Sequence, residues 1–240
     1  MHTVGDRMKP TARPLSPRMF EHPVLEWGSR VHPSTPFLFY LPVLSGLLAW
    51  AWATGVTDGR HLLAWVPTGW VAWQLSEYLL HRHLFHWEGV GPLTQRFHGV
   101  LHGHHHDYPG DFARLVMPLG ASVPAAAAIG GGLWLLDVPA ATVPLYVGFM
   151  AGYLWYDLLH WATHAVRPRT AWGRRLRAHH MAHHFAAPDR NFGISHLWVD
   201  RLFGTLRKHE GPGRPRGREA GARVKPARGE APTPSSGTRR

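Results

Sequence analysis

Four groups of histidines dominate the chemistry available to this chain: His81 and His86; His98, His102, His105 and His106; His160 and His164; and His179, His180, His183 and His184. Imidazole is the commonest metal ligand, and one ion takes only a few of them. The chain has no cysteine, which excludes disulfides, thiolate sites and cysteine nucleophiles. So many imidazoles point to two metal ions rather than one.

The spacing sharpens that reading. His102, His105 and His106 follow the i, i+3, i+4 period of one helix face, and His98 extends it back by a turn. His180, His183 and His184 repeat the pattern, and His160 and His164 are i, i+4. His81 and His86 are five apart, which does not align on a regular helix; that pair requires a helix end or a distorted turn. A lone HxxxH is often incidental, but helical periods on four segments are not what a sequestering surface tract shows. Ligating imidazoles usually donate their second N–H to a carboxylate or carbonyl. Glu77, Asp111, Asp157 and Asp200 are the candidate acceptors, and Asp157 lies three residues before His160 on its face. Glu88 and Asp107 read as ordinary surface charges or caps.

These groups need elements to carry them. Four apolar runs are long enough to cross a bilayer, which takes about 20 residues: residues 37–56, 62–80, 115–136 and 143–159. Short turns join the first to the second and the third to the fourth, which predicts two helical hairpins. The chain is 45% hydrophobic with 12 tryptophans, several at run ends, which favours bilayer crossing over burial in a soluble core. The hairpin turns hold only Arg60, whereas 17 of the 26 Lys/Arg lie from Arg167 onward, so both termini and every histidine group are expected on the cytoplasmic side. The net charge of +11, beside apolar runs, suits anionic lipid rather than nucleic acid. No secretory signal is visible in the first 20 residues. The expected organisation is a flank over 1–35, an all-α membrane domain over 36–209 and a disordered basic tail over 210–240. Two hairpins then support a cytosolic helical cap that holds a dimetal site.

Imidazole suits zinc, copper, iron and nickel alike. A hydrolytic zinc site would keep a carboxylate base beside three ligands; here imidazoles are in excess and carboxylates few. An apolar setting with a redox metal held away from bulk water fits attack of O₂ on a lipid C–H bond.

The residues now resemble a known family. EYLLHRHLFH over 77–86, HGHHHDYPGDFARLVMP over 102–118, YDLLH through His164, HMAHHF over 180–185 and FGIS over 192–195, with Trp198 and Asp200, resemble the motifs of the fatty acid hydroxylase superfamily. The likeness is strongest to its fatty acid 2-hydroxylase branch. It implies four transmembrane helices with a cytosolic cap around two irons, although zinc is compatible with a purified protein. The implied ligands are His81, His86, His102, His105, His106, His160, His164, His180, His183 and His184. His98 and His179 match supporting positions around them, alongside Asp157, Asp111 and Glu77. His83, His104 and His196 have no assigned role.

The implied reaction is O₂-dependent hydroxylation at the 2-position of a fatty acyl chain, with the lipid entering from the bilayer. Trp73, Phe112, Trp155, Tyr156 and Trp161 are candidates for its path or plain core aromatics. The N-terminal 36 residues show no haem-binding pattern, so electrons are expected from a separate ferredoxin-like or cytochrome-type protein. A sterol- or carotenoid-type hydroxylase or desaturase on the same scaffold, and a non-catalytic membrane metal-binding protein, are the competing readings.

Overall fold

The computed structural model describes residues 16–207. The basic tail expected over 210–240 and the start of the N-terminal flank lie outside the described residues. The described residues form helices and loops, with no strand among them.

A short helix α1 (Pro23–Gly28) leads into α2 (Thr35–Ala53). Asp58 caps α3 (Gly59–Leu80) by accepting from the amides of Arg60 and His61. A π-helical turn (His81–Phe85) prolongs α3. Next come α4 (Pro92–His98), a second π-helical turn (Gly99–Gly103) and α5 (His104–Asp107). A 3₁₀ turn (Phe112–Arg114) precedes α6 (Leu119–Trp134). The central helix is α7 (Pro139–Ala165), followed by α8 (Ala171–Phe185) and α9 (Leu197–Leu202).

Two stretches are long and apolar enough to cross a membrane: α2, and Phe112–Trp134, which ends in α6. Helices α3 and α7 are also long enough, but Gln74 and Glu77 on one and Asp157, His160 and His164 on the other dilute their apolarity. All of these polar residues are buried against protein. The third apolar run is shorter as a helix than expected. Residues 115–118 are not helical: Pro118 takes an extended conformation before α6, and Leu115 and Val116 are buried in the approach. The fourth is longer. The 27 residues of α7 make a rod of about 40 Å, longer than the apolar thickness of about 30 Å of a bilayer.

The expected hairpins are consecutive in sequence, but the packing runs through α7. Helix α3 lies along α7 over most of its length; α6 packs on α7 as the expected second hairpin, whereas α2 packs more on α7 than on α3. Glycines allow the close α3–α7 approach. A methyl group at Gly69 would collide with the Leu145 carbonyl, and one at Gly148 with the Val66 carbonyl. Tyr40, Leu44, Trp73, Met150, Tyr153 and Tyr156 fill the space where α2, α3 and α7 meet.

The N-terminal flank is pinned to the loop after α5. Glu26 accepts from the amides of Met19 (2.9 Å) and Phe20 (3.2 Å) and from the guanidiniums of Arg30 and Arg114. Arg114, with its side chain 3% exposed, also holds Asp111. The Val31 amide donates to the Ala113 carbonyl at 2.7 Å. Burial pushes the Glu26 carboxyl up, but the amides of Phe20 and Met19 and the charges of Arg30 and Arg114 outweigh it and lower its pKa to about 2.

Candidate metal centre

The ten histidines from four distant stretches converge at one end of the long helices. They form two sets of five: His81, His86, His102, His106 and His183; and His105, His160, His164, His180 and His184. Within each set the candidate ligand nitrogens lie within 4.8 Å of one another.

The awkward five-residue interval between His81 and His86 is resolved by the π-helical turn. The His86 amide donates to the His81 carbonyl at 3.2 Å, so i and i+5 share a face. The second π turn carries His102 itself, whose Nε2 lies 3.0 Å from those of both His81 and His106. Each HxxHH stretch is divided between the sets. His102 and His106 join the first and His105 the second; His183 joins the first and His180 and His184 the second. Thus α5 and α8 bridge both sets, while the turn after α3 serves only one and α7 only the other.

Backbone carbonyls orient several rings. His81 Nδ1 lies 2.5 Å from the Phe192 carbonyl, His183 Nδ1 2.7 Å from that of Arg190, and His160 Nδ1 3.1 Å from that of Leu115. A neutral imidazole that donates from Nδ1 keeps its lone pair on Nε2, which here faces inward. Burial, followed by the fields of neighbouring histidines, holds His86 at about 4 and His106 at about 3. Burial also holds His183 at about 4. These rings are neutral near pH 7, the state that ligates metal.

The donor set fits metal ions. Neighbouring Nε2 atoms are separated by 2.7–3.1 Å throughout both sets. Two nitrogens about 2.1 Å from an ion and at right angles are about 3.0 Å apart, against about 3.4 Å at the tetrahedral angle. The crowding therefore suits ions of more than four ligands. The Nδ1 atoms of His105, His180 and His184 are buried without a hydrogen-bond partner, so no acceptor orients those three rings from behind.

The expected carboxylates act at one remove. Glu77 accepts from the Ile194 amide (2.6 Å), the Ser195 amide (2.9 Å) and the Ser195 hydroxyl (2.6 Å), fixing the loop whose Phe192 carbonyl holds His81. Asp200 secures the same loop through the amides of Phe192 and Gly193, each at 2.8 Å, and lies 3.0 Å from His179 Nε2. Asp157 does not touch His160. It accepts from the Met117 amide at 3.4 Å, two residues beyond the carbonyl that holds His160. Asp111 reaches none of the ten imidazoles; it pairs with Arg114 and lies 3.7 Å from His104. His98 donates from Nδ1 to the Phe85 carbonyl at 2.8 Å, tying the two π turns together.

His83 is exposed, His104 contacts Ser16, and His196 contacts Gln74. Of the candidate path aromatics, Trp73 and Tyr156 are buried, and Tyr156 stacks on His160 with centroids 5.7 Å apart. Sequence reasoning missed the carbonyls of Phe192, Leu115 and Arg190; backbone acceptors have no residue signature.

A family model described as fatty acid hydroxylase matches residues 66–205. The chain belongs to the fatty acid hydroxylase family, a family of oxidoreductase enzymes. Within it, the relatives are fatty acid 2-hydroxylases. A dihydroceramide fatty acyl 2-hydroxylase of Arabidopsis thaliana is 35% identical over 191 residues, covering 79% of this chain and 80% of its own. Fatty acid 2-hydroxylase of Macaca fascicularis is 34% identical, covering 82% of this chain but 58% of its own length. A solved structure of Scs7p, in which only the hydroxylase domain is visible, aligns with a TM-score of 0.71 at 28% identity, over 78% of this chain and 71% of that one.

Proposed function

We propose that this protein is an O₂-dependent diiron lipid hydroxylase that places a hydroxyl on the 2-carbon of a fatty acyl chain. The observation that carries the reading is the convergence of ten inward-facing imidazoles into two sets of five at one end of long apolar helices. The matching relatives named as fatty acyl 2-hydroxylases supply the substrate class. In this reading all four long helices cross the bilayer, both termini are cytoplasmic, and the metal-bearing end forms a cytosolic cap.

Overall, a C–H bond, one O₂, two electrons and two protons become a C–OH and one water. Two irons, when bound, supply the redox chemistry that O₂ activation requires. His81, His86, His102, His106 and His183 would hold one ion; His105, His160, His164, His180 and His184 the other. The chain's own contribution is positional. The carbonyls of Phe192, Arg190 and Leu115 set ring orientation, Glu77 and Asp200 keep the Phe192 loop in place, and Asp157 does the same for the segment that carries Leu115. Burial keeps the imidazoles neutral and bulk water away. Electrons come from a separate redox protein. An apolar cavity of about 350 Å³ lined by Leu47, Ala126, Gly130, Thr142 and Tyr146 lies toward the opposite end of α7, and the chemistry is not assigned to it.

Lipid profiling of cells with and without the gene, under oxygen, tests the proposal. The expected product is an acyl chain heavier by one oxygen at carbon 2. Loss of two hydrogens instead would make the protein a desaturase. Altered metal content with unchanged lipids would reduce it to a metal-binding protein.

A further inference from the structure

The corner between α7 and α8 combines uncompensated charge with exposed aromatic surface. Between residues 158 and 188 the chain carries Arg167, Arg169, Arg174, Arg175 and Arg177 and no Asp or Glu. None of the five is in an ion pair among the described residues. Arg177 is spent internally: it donates to the carbonyls of Thr163 (2.6 Å) and Val166 (2.8 Å), docking α8 on the end of α7. Arg174 donates to the Arg169 carbonyl at 2.6 Å, which holds its guanidinium beside the Arg169 backbone. Arg167, Arg169 and Arg175 are exposed.

Trp172 shares a helix face with Arg175, at i, i+3. It is 51% exposed, so more than half of a large apolar ring lacks cover. Its covered side lies on Trp155 of α7 (centroids 6.4 Å apart, interplanar angle 27°), and Trp155 meets Trp70 of α3 at 6.0 Å. The indoles form a ladder from the arginine corner down onto the two longest helices.

We propose that this corner is a binding site for an anionic phospholipid, with Arg169, Arg174 and Arg175 on the phosphate and Trp172 seated at the headgroup level. The site anchors the helix that supplies His180, His183 and His184 to the bilayer surface. The proposal rests on the reading of α3 and α7 as membrane-crossing helices, but not on the hydroxylase reaction. The ladder decides between lipid and an acidic protein. Tryptophan collects at the membrane interface, and basic side chains beside it meet negative headgroups. A protein docked from water would meet the arginines but leave Trp172 and its continuation down α7 unexplained.

The test is thermal unfolding of the full-length protein in zwitterionic detergent. Micelles are doped with dioleoylphosphatidylglycerol, with dioleoylphosphatidylcholine, or supplied with inorganic phosphate alone. The expected result is a rise in Tm of about 3 °C or more with phosphatidylglycerol only. R169Q/R175Q should lose at least half of that rise, R169K/R175K should keep most of it, and R175Q alone should fall between. An equal rise in wild type and R169Q/R175Q, or no rise in wild type, overturns the site. So does an equal rise with inorganic phosphate, which would mark a free-anion site. If R169Q/R175Q keeps the lipid effect but loses turnover driven by an acidic electron donor, the corner is a protein dock and the lipid assignment is wrong. Because Tm is read without turnover, failure here is distinct from failure of the hydroxylase reading.

Discussion

His105 and His106 are neighbours in the chain, yet their imidazoles serve different sets: His105 Nε2 lies 2.9 Å from His160, and His106 Nε2 lies 3.0 Å from His102. A single helical turn thus feeds both sets. Replacing either residue with alanine should remove one ligand from one set only. H106A is expected to lower occupancy of the first set and H105A that of the second, each cutting 2-hydroxylated product at least about 100-fold. Metal analysis of the purified variants beside product mass spectrometry checks this; full occupancy of both sets in either variant would contradict the division.

The π turn makes a length-sensitive prediction. His83 is exposed and makes no contact with either set. Deleting it shortens the interval between His81 and His86 to four residues, which a regular α-helix would align. If the five-residue turn is what aims His86 at His183 (3.0 Å apart), the deletion should empty the first set and abolish product, whereas H83A leaves both intact. A deletion variant with full metal content would show that the turn is incidental.

Glu77 positions His81 through the Phe192 loop without touching a ligand itself. E77Q retains shape but replaces one of the two accepting oxygens with an amide donor, and should weaken metal retention by about 10–100-fold. S195A, which removes only one of the hydrogen bonds to Glu77, should cost much less. Dialysis against graded chelator separates the two variants; identical retention would assign Glu77 a merely local role.

The Glu26–Arg114 clamp should be visible in acid. The folded-state pKa of Glu26 is lowered to about 2 from an ordinary value of 4.5. The unfolded chain therefore binds the proton more readily. The stabilisation is fully present above about pH 4.5 and disappears as pH falls toward 2. E26Q should destabilise the protein by about 2 kcal/mol at pH 7, and the gap from wild type should narrow between pH 4.5 and pH 3. A Tm difference independent of pH over that range would disprove the charge mechanism.

Helix contact between α3 and α7 depends on missing side chains. G148A inserts a methyl group against the Val66 carbonyl and should cost about 1–3 kcal/mol through forced separation of the helices. G46A, with open space around it, is the matched control. Equal Tm values for the two would mean the helices do not pack as closely as described.

How much of this was legible in the sequence follows from what each residue type advertises. The ten histidines announced themselves by number and period, and the structure brings all ten together. Long apolar runs announced the helices, but not that α7 would be the hub; that depends on glycines whose meaning appears only when another backbone lies beside them. The run that begins at Leu115 read as helix because apolar character alone cannot separate an extended approach from the first turn after Pro118. Glu77 and Asp157 were picked out as supports by their position in the chain; both accept from loop amides, of Ile194 and Ser195 and of Met117, which no residue pattern announces. The Glu26–Arg114 pair gave no signal at all, since 88 residues separate its members. The His81–His86 interval was the most informative irregularity: it demanded a helix end or a distorted turn, and a π turn continuing α3 is what is found.

Helix α8 belongs to both baskets at once. Drawing His183 toward one ion shifts the rod on which His180 and His184 ride, so filling one post is felt at the other. Two ions held there should therefore be coupled, so that emptying one set weakens retention in the other without emptying it.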